Sequence, residues 1–352
     1  MNLFDYVRPA TIAEAVAAAA APGAEYLAGG TNLLDLMKSG AARPERLVDI
    51  TRLPGLDRIE PLPDGGWRIG ALVRNADLAH DPAFAEACPA VAEALLSGAS
   101  AQLRNAATIG GNLMQRTRCG YFFDPESACN KRVPGSGCAA LAGENRSHAV
   151  LGWSDACIAT HPSDLAVPLV ALDARVEIVG PTGRREIALE ALHRLPGDTP
   201  ARESALDKGE LITALILPAE AAAFAAHARY VKLRDRTSFA FAIVSAAAAL
   251  WLDRGAIGAA RLALGGVAAK PWRARAAEAM LLGQPPSPAI FRQAAEAALA
   301  GARPSGDNDF KIELARRILT RALTLAAAGT PMRVPALPGS CFAPVSGGHH
   351  AV

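Results

Sequence analysis

The chain has 352 residues, 51% of them hydrophobic and 20% charged, and a formal net charge of +2. That length suits two or three domains of a soluble globular protein, and the near-neutral balance gives no electrostatic footing for nucleic acid. The longest apolar run, 239–252, falls short of the ~20 residues a membrane helix needs and reads as a buried strand. The opening "MNLFDYVRPATIAEAV" has an acid and no basic stretch ahead of an apolar segment, so no secretory signal is expected there.

In chain order, Thr11 and Glu14 form a capping box for a helix that Pro22–Gly23 stops. "AEYLAG" reads as a strand, Thr31 as the cap of a helix "NLLDLMK" ending at Gly40, and "RLVDI" as the next strand, a β-α-β-like unit over 1–55. A hairpin follows through "PDGG", and Asn75 and Asp77 open a helical stretch to Leu96. A second hairpin over 174–189 and a strand over 210–218 complete a mixed subdomain, 56–222, with a cysteine-rich insert at 115–160. Runs at 228–233, 241–252 and 257–267, then helices at 272–282, 287–300 and 308–327, predict a three-stranded antiparallel sheet backed by helices over 226–330. The Pro- and Gly-rich tail, 331–352, reads as an extended arm that needs a partner to order it. The fold class is α+β.

Two glycine loops carry the first functional signal: "LAGGTNLLDLMKSG" (27–40) and "LRNAATIGGNL" (103–113). A helix N-terminus offers free N–H groups and a positive dipole end, and glycines let an anion approach them. Either loop alone is equally a simple turn with a Thr cap. Neither is GxGxxG nor a Walker loop, but two together suit the two phosphates of a dinucleotide.

Cysteine placement gives the second signal. Cys88 and Cys341 stand alone and read as inert small hydrophobes. Cys119, Cys129, Cys138 and Cys157 share one segment with gaps of 9, 8 and 18 residues, which points to metal rather than disulfides. No CxxC knuckle occurs, and the spacing fits a cluster, zinc or reduced thiols. His148 and His161 are either further ligands or packed loop histidines, and Trp153 reads as a packing residue. No nucleophile–base pair, HExxH or GxSxG stands out.

"LAGGTNLLDLMK", "ASAQLRNAATIGGNL" and "ATHPSDLAVPLVALDA", in this order, resemble the FAD-binding subunit of the xanthine dehydrogenase and molybdenum hydroxylase family; "FKIELARRILTRAL" (310–323) resembles its C-terminal flavoprotein domain. The resemblance implies a two-subdomain FAD-binding domain followed by the CO dehydrogenase flavoprotein C-terminal type. It implies that Leu27, Ala28, Gly29, Gly30, Thr31, Asn32, Leu33 and Leu34 bind the FAD pyrophosphate. Thr108, Gly111 and Asn112 form the second clamp, with Ser100, Ile158, Ser163 and Asp164 along the cofactor. Lys232 matches a basic position near the isoalloxazine, where a cation favours the reduced anion; otherwise it is an ordinary strand-end lysine. "SFAF" replaces an acidic residue common in the family, leaving Phe239 or Phe241 to face the ring.

The insert resembles that of the bacterial periplasmic aldehyde oxidoreductases, whose flavin subunit carries a four-iron four-sulfur cluster. It implies Cys119, Cys129, Cys138 and Cys157 as ligands, and "QRTRC", "CNKR" and "GENRSHA" agree. Four thiolates on such a core leave about two negative charges to compensate. Arg116, Arg118, Lys131, Arg132 and Arg146 lie close by in sequence for that role, or form a solvated basic loop. The implied protein is an oxidoreductase subunit without catalytic side chains of its own. It would relay electrons within a heterotrimer, from a molybdopterin large subunit and a 2Fe-2S small subunit to an external acceptor, without nucleic acid or membrane. The cluster would be a relay or a staple. Expected localisation is the periplasm, by co-export with a signal-bearing partner, or the cytoplasm without one. The alternatives are a CO dehydrogenase or hydroxybenzoyl-CoA reductase flavin subunit, or a nucleotide-binding zinc scaffold.

Overall fold

The computed structural model of the chain describes residues 1–332. The expected arm falls almost wholly outside the described residues, as does Cys341. The first unit is β1 (Asp5–Val7), α1 (Ile12–Ala19), β2 (Ala24–Leu27), α2 (Leu33–Ser39) and β3 (Arg46–Asp49), with the strands parallel in the order β1-β3-β2. Thr11 caps α1 through the Glu14 N–H at 3.2 Å, and the Glu14 carboxylate reaches back to the Ala10 N–H at 2.8 Å. At the end of β3, burial pulls the Asp49 carboxyl upward, but hydrogen bonds from Thr51, Tyr6 and Arg8 outweigh it and hold it at about 2.

The second unit holds β4 (Ile59–Pro61), β5 (Trp67–Gly70), α3 (Asn75–His80), α4 (Pro82–Ala87), α5 (Pro89–Ser97), α6 (Ala101–Arg104), α7 (Ile109–Leu113) and α8 (Gly120–Phe123). It continues with α9 (Ala166–Ala171), β6 (Arg175–Gly180), β7 (Gly183–Ala188), α10 (Leu189–Leu192) and β8 (Leu211–Leu217). Its sheet is antiparallel, ordered β4-β5-β8-β6-β7. The single helical stretch expected from Asn75 to Leu96 is three helices. Pro82 and Pro89 cannot donate to the preceding turn and instead each open a new helix.

The third unit is β9 (Ala228–Leu233), β10 (Val244–Asp253), β11 (Ala256–Gly265), β12 (Trp272–Arg273), α11 (Arg275–Leu281), α12 (Pro288–Ala298) and α13 (Phe310–Ala327). The sheet has four strands, β12-β11-β10-β9, not three. Two residues expected to begin a helix pair instead with Ala263 and Leu264. Arg273 then turns inward, held by Asp173 at 2.9 Å and by Glu278. One face of this sheet joins the core of the second unit through Tyr230, Ala247, Ala249 and Ala263, while the other packs on α11–α13. Lys311 at the start of α13 is fully buried; its ammonium donates to the carbonyls of Ser147 (2.8 Å), His148 (2.7 Å) and Gly266 (2.7 Å). Asn308 adds bonds to the carbonyls of His148 and Ala149. No helix among the described residues is long and apolar enough to cross a membrane.

Candidate functional site

Strand β2 delivers the chain to Gly29 and Gly30. Gly30 takes a φ of +72°, which favours glycine. Gly29 is bare for another reason: a Cβ there would stand 2.0 Å from the Ala106 carbonyl oxygen. The second glycine loop therefore lies directly against the first. It is anchored by Asn75 N–H to the Ala107 carbonyl and Gly110 N–H to the Ala71 carbonyl. Thr108 caps α7, accepting the Gly111 N–H at 3.2 Å. Thr31 does not cap α2. The helix begins a residue later than expected, so Asn32 sits at the capping position with a ψ of −52° and makes no capping bond. Its Oδ1 accepts the Arg116 N–H at 2.9 Å instead, and its Nδ2 is buried without a partner.

A cavity of about 830 Å³ opens beside this junction, within the size range of cofactor sites. Gly29, Gly30, Thr31, Asn32 and Leu34 line it from the first loop; Gly111, Asn112, Ser163, Asp164 and Lys232 line it from the other elements. A second cavity of about 760 Å³ shares Gly29–Asn32, Gly111 and His161 and adds Ala28, Leu33 and Thr108. The polar groups interlock. Ser163 Oγ donates to Asn112 Oδ1 at 2.7 Å and accepts the Ala166 N–H. Asp164 receives Tyr230 Oη at 2.5 Å and Lys232 Nζ at 2.8 Å. Lys232 is thus a buried ion-pair member, its side chain 4% exposed, rather than a free strand-end cation. Burial and the Asp164 charge push the Tyr230 phenol well up, so it stays protonated. Phe239 and Phe241 both line the cavity and are about half exposed.

Three expected residues stand elsewhere. Leu27 lies outside the lining and gives its carbonyl to the Ile50 N–H; Ser100 caps α6 through the Leu103 N–H at 3.3 Å; Ile158 is fully buried. Conversely, His161 carries a buried Nε2 with no partner, and its ring lies 4.1 Å from that of His193. Burial pushes both imidazoles down, His193 to about 4, which keeps them neutral. With Nδ1 of His161 accepting the Ser163 N–H at 3.4 Å, Nε2 is left as a buried donor. The orphaned donors of Asn32 and His161 are what a polar cofactor would satisfy, so the residues fit one.

All four clustered cysteines line one small pocket together with Thr117 and Lys131. Cys129 and Cys138 face each other across an antiparallel bridge, and all four thiols are free. They surround the pocket rather than converge on a point: among the described residues no group of three or more His, Cys, Asp or Glu is gathered to hold a metal ion. Burial pushes the Cys119 thiol up to about 11, and neighbouring Cys129 and Cys157 add to it. The five nearby cations do not simply face the sulfurs. Arg132 staples the loop by donating to the carbonyls of Tyr121, Phe122, Pro125 and Ser127. Arg116 and Lys131 converge on Glu203, Arg118 lies over Phe241 at 4.9 Å, and Arg146 meets Asp235 at 3.3 Å. Only Lys131 also lines the thiol pocket, where its charge favours the Cys157 thiolate against burial. His161 is not at this pocket, whereas His148 Nε2 lies 3.2 Å from Cys119 Sγ. Trp153 packs under the Arg303 guanidinium at 3.6 Å, and Cys88 is buried.

Residues 2–220 match the family described as FAD binding domain in molybdopterin dehydrogenase, and residues 229–326 the CO dehydrogenase flavoprotein C-terminal domain. The aldehyde oxidoreductase FAD-binding subunit PaoB of Escherichia coli (strain K12) is 51% identical over 330 residues, 93% of this chain and 99% of that protein. The carbon monoxide dehydrogenase medium chain of Hydrogenophaga pseudoflava is 28% identical, over 92% of this chain and 96% of its own. A solved carbon monoxide dehydrogenase from that organism superposes with a TM-score of 0.73 at 29% identity, covering 93% of this chain and 98% of that one. For quinoline 2-oxidoreductase from Pseudomonas putida 86 the TM-score is 0.70 at 25% identity, covering 92% and 97%. With both domain matches spanning the two glycine loops, the cavity and the helix-backed sheet, the chain belongs to the FAD-binding subunits of the xanthine dehydrogenase and carbon monoxide dehydrogenase family.

Proposed function

We propose that the chain is the flavin- and iron–sulfur-bearing electron-transfer subunit of a molybdenum-dependent aldehyde oxidoreductase. It works beside a molybdopterin-binding large subunit and a 2Fe-2S small subunit. The observation that carries this reading is end-to-end similarity at 51% identity to a subunit named for aldehyde oxidation. The carbon monoxide dehydrogenase and xanthine dehydrogenase relatives match at 26–28%, which puts the alternative complexes second. FAD, when bound, supplies a carrier that takes up electrons from a neighbouring subunit and passes them on.

The chain's own residues bind and orient that carrier. Gly29 to Asn32, with Gly111 and Asn112, present backbone and carboxamide groups; Ser163 holds Asn112 in place, and the Asn32 and His161 donors lack partners of their own. Lys232 and Asp164 set a buried charge pair in the cavity wall. The second part of the proposal is that Cys119, Cys129, Cys138 and Cys157 hold a four-iron four-sulfur cluster. Four thiols around one pocket, without a carboxylate among them, are the donor set such clusters use. A single zinc ion would want its four sulfurs drawn together at about 2.3 Å from one centre.

The native complex, purified and tested for aldehyde oxidation, should release one FAD and about four extra irons per copy of this chain on denaturation. Absence of flavin, or zinc in place of the iron, would overturn the corresponding half of the reading.

A further inference from the structure

Of the four clustered thiols, Cys119 alone lines both the small cysteine pocket and the large cofactor cavity. The imidazole against it, His148, also lines the large cavity and is 5% exposed. Its Nε2 stands 3.2 Å from Cys119 Sγ, within hydrogen-bonding reach of a sulfur. Its Nδ1 is buried without a partner, so the ring has no other polar contact to serve. The ring's place is set by its backbone. The His148 N–H donates to the Asn145 carbonyl at 2.9 Å, and its own carbonyl receives Lys311 at 2.7 Å and Asn308 at 3.1 Å. Three bonds hold this one loop residue, and the result is a ring nitrogen set against a single sulfur.

We infer that His148 is a positioning residue: it donates an N–H···S hydrogen bond to Cys119, the sulfur shared between the cluster pocket and the flavin cavity, and thereby sets the potential at which the cluster takes up an electron. The inference rests on the proposed cluster. Its physical basis is that a donor on a ligand sulfur withdraws charge from it and stabilises the reduced, more negative cluster. Cys119 is the sulfur where this matters for exchange with the flavin, because the other three thiols face the small pocket only.

The test uses the complete complex with His148→Phe, which keeps a ring but removes the donor, and His148→Gln, which restores one. Iron and flavin content are measured first, then the cluster potential is read by a redox titration followed by electron paramagnetic resonance. His148→Phe should keep its iron and FAD while its cluster becomes about tenfold harder to reduce, a fall of about 59 mV for one electron. His148→Gln should recover part of that shift. A potential unchanged in His148→Phe with full iron overturns the role of His148 and leaves the cluster standing. Absence of the extra iron from the wild-type complex overturns the cluster itself, and this inference with it.

Discussion

The contact between the two glycine loops makes a quantitative prediction at Gly29. An alanine there places its Cβ 2.0 Å from the Ala106 oxygen and 2.8 Å from the Ala106 carbonyl carbon. Ordinary carbon–oxygen contacts begin at roughly 3.3 Å, so the loops must part by more than ~1 Å. Neither side is a flexible side chain that can swing away; both are backbone. Overpacking of this kind costs about 1–3 kcal/mol, and the loops that must move are those whose far sides line the cavity. If that strain is relieved only by opening the junction, FAD affinity falls by about five- to 150-fold. The assay is the flavin-to-protein absorbance ratio of the purified complex, followed by FAD titration of the deflavinated protein and a thermal melt. Gly120→Ala serves as the control, because a Cβ there meets no atom within 4 Å. A Gly29→Ala protein with wild-type flavin occupancy and melting temperature would refute the claim that loop-to-loop contact builds the site.

Three further outcomes follow from the same geometry. On the proposed cluster, Cys129→Ser should lose the extra iron while FAD stays bound, and unchanged iron would remove Cys129 from the ligand set. Lys232→Met leaves the Asp164 carboxylate buried without its 2.8 Å partner and should cost about 3–5 kcal/mol in denaturant unfolding, partly restored by adding Asp164→Asn. An undisturbed unfolding midpoint would show that the pair does not support the cavity wall. Asp49 titrates at about 2 instead of the ordinary 3.8, so its stabilisation, about 2 kcal/mol, is full above about pH 4 and lost as pH falls through about 2. Urea midpoints should therefore drop more steeply on acidification for the wild type than for Asp49→Asn, and parallel curves would contradict the assignment.

Local signals were readable where the interaction is local. The Thr11–Glu14 box joins residues three apart and stands as the sequence implies, whereas the expected Thr31 cap is missing because α2 begins a residue later. Pro82 and Pro89 were equally visible as helix breaks, but the apolar pattern from Asn75 to Leu96 runs straight through them. β12 exists only by pairing with β11, which no two-residue stretch announces. The site was legible as a set of motifs and illegible as a set of contacts. Gly29 looked like an opening for a phosphate, yet its missing side chain is required by Ala106, 77 positions later. Lys232 looked like a free cation, and its partner Asp164 is 68 residues earlier. Spacing was silent about the cysteines because the loop that carries them around one pocket is shaped by bonds such as those from Arg132 to four of its own carbonyls.

The Lys311 ammonium carries a consequence for biosynthesis. The carbonyls it gathers belong to residues 147, 148 and 266, and the glycine loops and cysteines precede it by more than a hundred positions. A ribosome making this protein therefore exposes both glycine loops well before the lysine that fastens Ser147, His148 and Gly266 in the cavity wall emerges. A flavin offered to the nascent polypeptide would meet an unlatched receptacle, so loading is best timed after release.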